Sequence, residues 1–138
     1  MIEFTVEGKP TAKGRPRFAR RGKFVSTYTP KQTKEYETVI AEAAAIAMMG
    51  KKPLSGAIEA FFVINLGIPL SFTKKQRTEA LCGFLRPTKK PDWDNYGKLF
   101  SDAMNGIVYE DDNQIVKCTV EKHYAESPCV KITVKSIA

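Results

Sequence analysis

Ile2, Phe4 and Val6 alternate with Glu3, Thr5 and Glu7, the two-residue period of a strand with one buried face. From Gly8 to Thr29 no period holds. That stretch is rich in Gly, Pro and Arg and reads as a long connection, of a length that marks functional loops in compact folds. A helix should begin at Thr29: Thr29 caps it, Pro30 suits the first helical position, and Gln32 completes a Thr-x-x-Gln capping box. Tyr36, Val39, Ile40, Ala43, Ala47 and Met48 recur at helical spacing until Gly50 and Pro53 end the run. Ala57 to Leu66 is short, aromatic and β-branched and predicts a central strand. Thr73 and Gln76 open a short basic helix, and residues 82–91 return to loop. A second main helix runs from about Asp94 to Met104 and stops at Asn105-Gly106. Residues 115–124 and 129–135 alternate on either side of Ala-Glu-Ser-Pro and predict a hairpin, with Val130, Ile132 and Val134 facing inward. The order β-α-β-(α)-α-β-β predicts an α/β (α+β-like) fold. One two-layer domain over residues 1–138 would have a mixed or antiparallel sheet with helices on one face.

Composition changes this picture little. A chain of 138 residues buries roughly two-thirds of its unfolded surface, enough for a core without disulfides or a structural metal. Cys82, Cys118 and Cys129 have no paired spacing and read as reduced thiols. No run of eighteen apolar residues exists, so no membrane span is expected. The first residues follow a strand pattern rather than a signal peptide, which points to the cytoplasm. His123, the single histidine, falls in a strand far from any acidic cluster, so histidine-based nucleophilic catalysis has no support.

Charge changes it more. The net charge is +7, and residues 8–34 carry Lys9, Lys13, Arg15, Arg17, Arg20, Arg21, Lys23, Lys31 and Lys34 without one acid. Residues 92–112 invert this, with Asp92, Asp94, Asp102, Glu110, Asp111 and Asp112 against Lys98 alone. A basic chain that gathers its acids in one short stretch suits a polyanion binder with a cation site inside it. Phe18 and Phe24 interleave the bases of residues 13–24, a mixture fit for phosphates and for stacking on an exposed base. Arg86, Lys89 and Lys90 add a second basic patch just before the acids.

Two carboxylates at i and i+2 lie ~200° apart on a helix but point the same way in extended chain. Asp92 and Asp94 therefore cooperate if Asp92 is extended and Asp94 is the helix N-cap. Asp94, Lys98, Ser101, Asp102 and Asn105 then form one polar stripe, opposite Tyr96, Leu99, Phe100, Ala103 and Met104. Lys98 would stand one turn above Asp94, and Trp93 would turn away into the core. The turn after this helix offers a third carboxylate from Glu110, Asp111 or Asp112. Oxygen ligands without histidine or cysteine suit Mg²⁺ or Mn²⁺. The same residues are also compatible with an ordinary N-cap, a salt-bridge ladder and a polar turn.

Lys90-Pro91-Asp92-Trp93-Asp94-Asn95, with Lys98, Asp102 and Val108-Tyr109-Glu110-Asp111-Asp112-Asn113-Gln114-Ile115-Val116, resembles the RusA family of Holliday junction resolvases. Lys13-Gly14-Arg15-Pro16-Arg17 and Tyr28-Thr29-Pro30 resemble phage-encoded members. Where some members carry an arginine run before the first Asp, this chain has Lys89-Lys90-Pro91. The resemblance implies that Asp92, Asp94 and Asp112 bind Mg²⁺, with Mn²⁺ as a possible substitute, and that Lys98 is needed for cleavage. It favours Asp112 over Asp111 because the family residue is the second of its pair. It further implies a homodimer that nicks two strands symmetrically across a four-way DNA junction, in recombination and repair. Lys13, Arg15, Arg17, Arg20, Arg21, Lys23, Arg86, Lys89 and Lys90 are the expected DNA-contacting set. The competing readings are a basic nucleic-acid-binding protein without catalysis, and a Mg²⁺ nuclease that prefers forks or flaps.

Overall fold

The computed structural model describes residues 1–14, 17–21, 24–28 and 31–137. In chain order the elements are β1 (Ile2–Glu7), β2 (Arg17–Arg21), β3 (Phe24–Tyr28), α1 (Lys31–Met48), β4 (Ile58–Gly67), α2 (Lys74–Cys82), α3 (Trp93–Ala103), β5 (Ile115–Ala125) and β6 (Cys129–Ser136). A short 3₁₀ turn, Asp112–Gln114, leads into β5. The Gly8–Thr29 stretch is therefore not all connection. β2 and β3 pair antiparallel from Arg17↔Tyr28 to Arg21↔Phe24 and form a separate two-stranded ribbon. The expected Thr29-Pro30 cap lies outside the described residues, as do Arg15 and Lys23.

The main sheet is mixed, in the order β1-β6-β4-β5. β6 runs antiparallel to both β1 and β4, and β4 runs parallel to β5. The hairpin expected from residues 115–135 does not form, because β4 lies between its two strands. Alternation identifies a strand but says nothing of its neighbour. Two inter-strand spacings amount to about 10 Å, which the three residues after Ala125 can span. That crossing passes over the end of β4. A Cβ on Gly67 would come within 3.3 Å of the Pro128 ring, so the close approach suits a residue without a side chain. The Gly8 N–H donates to the Pro128 carbonyl (3.0 Å) and ties the end of β1 to the same crossing.

One face of the sheet is apolar. Ile58, Ala60, Phe62 and Ile64 of β4 and Val130, Ile132 and Val134 of β6 are buried there. α1 contributes Ile40, Ala44 and Met48 to this core, and α3 contributes Tyr96, Leu99, Phe100 and Ala103. Val39, expected on the buried side of α1, is exposed, and Ala44 takes the inward position. Phe100 is the meeting point: its ring lies 5.2 Å from Phe62 edge-on, and 6.3 Å from both Tyr96 and Tyr36. The opposite face is polar at β4, where Glu59 bridges Lys117 and Lys135, each at 3.2 Å. α2 begins at the expected Thr73/Gln76 capping box, with the Gln76 N–H donating to Thr73 Oγ1 (3.2 Å) and the Thr73 N–H to Gln76 Oε1 (2.9 Å).

Truncating the ring where three elements meet should cost far more than trimming the exposed face of α1. Phe100→Ala is expected to lose about 3–5 kcal/mol in urea unfolding, and Val39→Ala no more than about 0.5 kcal/mol. Equal losses would contradict this packing.

Candidate functional site on helix α3

The N-cap of α3 lies two residues earlier than the sequence suggests. Asp92, not Asp94, is the N-cap, with extended backbone (φ −71°, ψ 152°), and Trp93 is the first helical residue. Pro91 restricts the chain just before it, and Asp94 becomes an acid in the first turn, where the helix dipole favours negative charge. An N-cap aspartate ordinarily accepts a hydrogen bond from the first free backbone N–H groups. The Asp92 carboxylate makes no such bond and is exposed. Among the described residues neither Asp92 nor Asp94 enters an ion pair. Trp93, expected in the core, is 64% exposed, because at the first helical position its side chain leaves the buried stripe.

The loop before α3 is held by its carbonyls. Lys122 Nζ, from β5, donates to the carbonyls of Lys89 (2.8 Å) and Pro91 (2.9 Å). On the other flank the Lys13 N–H donates to the Asn95 carbonyl (3.1 Å), and the Gly14 N–H donates to the hydroxyl of buried Thr33 on α1 (3.0 Å). These bonds leave the side chains of Arg86, Lys89 and Lys90 exposed. A cleft of about 920 Å³ opens here, with Lys9, Lys13, Lys89, Lys90, Asp92 and Tyr124 among its walls.

The polar stripe of α3 forms as the spacing predicts, but Lys98 turns toward the far end of the helix. Its amine lies 3.1 Å from Asp102 Oδ1 and 3.6 Å from Asp112 Oδ2. Asp102 Oδ2 accepts in turn from Lys13 Nζ (2.8 Å), which also reaches Glu37 Oε1 (3.0 Å). Lys13, expected on DNA phosphates, is thus already engaged by two carboxylates. Burial lowers the Lys13 pKa, but the hydrogen bonds from Asp102 and Glu37 outweigh it and raise the value above ordinary lysine. Lys98 is raised chiefly by its bond to Asp102. Burial pushes the Asp102 carboxyl up, yet Lys13 and Lys98 hold it below the usual aspartate value.

Asp112 owes its place to the turn around Gln114. The Gln114 side-chain amide donates to the carbonyls of Leu54 and Gly56, both at 3.0 Å. Its oxygen accepts from the N–H groups of Glu110 (2.9 Å) and Asp111 (3.1 Å). Asp111 is committed to the turn as its cap, accepting from the Asn113 N–H (3.5 Å). The buried Tyr109 ring fixes the preceding segment, its hydroxyl donating to the Ser101 carbonyl of α3 (2.6 Å). Asp112 is left facing Lys98 and Asp102. Burial raises its carboxyl, contact with Asp111 and Asp102 raises it further, and the Lys98 charge opposes both. Sequence reasoning missed the anchoring roles of Gln114 and Asp102, whose partners lie up to 89 residues away.

The structure therefore brings Asp112, Asp102, Lys98 and Lys13 together. Asp92 and Asp94 stand at the N-terminal end of the same helix. No group of three carboxylate, histidine or cysteine side chains converges closely enough to grip an ion among the described residues. The donor chemistry nevertheless fits a hard divalent cation. Among the described residues the side chains of Asp92 and Asp94 pair with no base, Asp111 is taken by the turn, and Asp112 lies beside Asp111 and Asp102 with the Lys98 ammonium opposite. Arg17, Arg20 and Arg21 lie in β2. His123 pairs with Glu121 at 3.4 Å, away from this site, and the three cysteines are free thiols.

A lysine-walled cleft opening onto the acid-bearing start of a helix has the makeup of a protein that handles phosphodiesters. The chain belongs to the RusA endodeoxyribonuclease family: the family model for Endodeoxyribonuclease RusA matches residues 7–135. A protein of Bacillus subtilis (strain 168), described as uncharacterized protein YqaN, is 35% identical over 139 residues, covering 99% of this chain and 97% of that one. No described helix is long and apolar enough to cross a membrane.

The charges around Asp102 give stability a pH signature. Asp102 is depressed, so its contribution is present above the unfolded value near 3.8 and is lost as pH falls through its lower folded value. Lys13 and Lys98 are raised, so theirs is present below 10.5 and lost as pH rises through their folded values. Asp102→Asn should lower Tm at neutral pH, and the difference from wild type should shrink toward both extremes. A difference that persists unchanged well below pH 3.8 would contradict the pairing.

Proposed function

We propose that this endodeoxyribonuclease is a Mg²⁺-dependent, structure-selective enzyme that resolves four-way DNA junctions in recombination and repair, acting as a homodimer that places paired symmetric nicks. The observation that carries the reading is the division of labour among the acids: among the described residues the Asp92 carboxylate neither caps α3 nor pairs with a base, while Asp111 caps its turn and leaves Asp112 turned toward Lys98. Asp92, Asp94 and Asp112 would hold the ion, which supplies Lewis acidity toward the phosphodiester when bound. Mn²⁺, which shares the preference for oxygen ligands, should substitute.

Lys98 would neutralise charge gathering on the scissile phosphate, a role for which a fixed ammonium beside Asp112 is suited. Lys89 and Lys90, with Arg86 at the loop's edge, would hold the backbone of the strand lying in the cleft. Arg17, Arg20 and Arg21, which lie in β2, would contact an adjoining arm of the junction together with Arg15 and Lys23. A two-fold dimer matches a nearly two-fold substrate, one site per strand.

The test is cleavage of synthetic four-way junction, fork and duplex DNA, with and without Mg²⁺, beside a gel-shift assay on the same variants. Asp92→Asn, Asp94→Asn and Asp112→Asn should each cut slower by orders of magnitude. Junction binding should survive or tighten, since a charge that repels phosphate is gone. Near wild-type cutting by Asp92→Asn and Asp94→Asn would sink the nuclease assignment of these residues, and faster cutting of forks than junctions would redirect the substrate.

A further inference from the structure

We propose that Asp102 is a positioning residue: clamped by Lys13, it holds the Lys98 ammonium beside Asp112. The inference rests on the reading above, in which Lys98 meets the scissile phosphate. It assigns a role to two residues whose side chains lie outside the proposed cutting set.

A lysine on a helix surface ordinarily samples many rotamers, and an isolated i,i+4 pair favours one of them only weakly. The Lys98 side chain is 60% exposed, so water and packing do little to fix it. Its partner differs from an ordinary surface acid. The Asp102 side chain is only 20% exposed, and its two oxygens serve different amines, Oδ1 to Lys98 (3.1 Å) and Oδ2 to Lys13 (2.8 Å). Engaging both oxygens fixes the plane of the carboxylate.

Lys13 is fixed as well. Its amine is shared with Glu37 of α1 (3.0 Å), and its own N–H is bound to the Asn95 carbonyl. The result is a line of alternating charge, Glu37, Lys13, Asp102, Lys98 and Asp112, running from α1 across α3 to the turn before β5. Each inner member has an opposite charge on both sides. Networks of this kind couple more strongly than separate pairs.

Single-turnover cleavage at saturating enzyme, with Mg²⁺ varied, separates this role from two others. Asp102→Asn should slow cutting by about 10–100-fold, the usual cost of removing a supporting partner, with junction affinity and the Mg²⁺ midpoint nearly unchanged. Lys13→Met should slow it in the same sense, and Lys13→Arg should restore most of the rate. In a Lys98→Ala background Asp102→Asn should cost nothing further, because it acts through the missing amine. An equal additional loss in that background would overturn the proposal, and recovery at high Mg²⁺ would make Asp102 a metal ligand instead. A second measurement needs no cleavage. The side-chain ammonium signal of Lys98, observed by nitrogen-15 NMR and assigned with Lys98→Ala, should be protected in the wild type and lost in Asp102→Asn. A signal unchanged by that substitution would overturn the clamp even if the protein cut no DNA, whereas wild type that cuts nothing but shows the protected signal would fail only the nuclease reading.

Discussion

The burial of one face of α3 is the constraint from which the rest follows. Tyr96, Leu99, Phe100 and Ala103 go into the core, and Phe100 touches rings from α1, β4 and its own helix. Once that stripe is fixed, the opposite stripe has no freedom: Asp94, Lys98 and Asp102 must face out on one line. The chemistry of the site is thus placed by hydrophobic packing, which is worth several kcal/mol. The ion pairs it displays are individually worth less than about 1 kcal/mol at such exposure.

Around that fixed helix, neighbouring segments are held chiefly through backbone groups, which keeps side chains available. Lys122 binds the carbonyls of the loop before Asp92, and Gln114 joins the turn bearing Asp112 to the backbone of Leu54 and Gly56. Tyr109 ties that turn to α3 from within. A site built this way can keep several acids near one another without each being consumed by the fold; the Asp112 carboxyl is raised first by burial and then by its contacts with Asp111 and Asp102.

Much of this was legible in the sequence because it rests on periodicity and local chemistry. The stripe of α3, the helix of residues 31–48, the capping box at Thr73 and the inward Val130, Ile132 and Val134 all follow from spacing. What escaped depends on partners distant in sequence or on offsets of one or two residues. Alternation in residues 115–135 made two strands but could not reveal that β4 separates them. Asp92 and Asp94 are equally good caps by type, and the choice of Asp92 carried Trp93 out of the core to the surface. Lys13 reads as one more base of a basic arm until the fold brings Asp102 and Glu37 to it. The β2–β3 ribbon lies in a stretch of Arg and Gly where no hydrophobic period announces a strand.

Under the proposed function, the acids at the start of α3 and at the turn before β5 would serve one divalent ion. Titration with Mn²⁺, followed by paramagnetic broadening of backbone amide signals, tests it without substituting any residue. Broadening should begin together at residues 92–98 and 110–114, at low Mn²⁺, and Mg²⁺ should reverse it. Broadening confined to one of the two segments, or centred elsewhere on the chain, would contradict it.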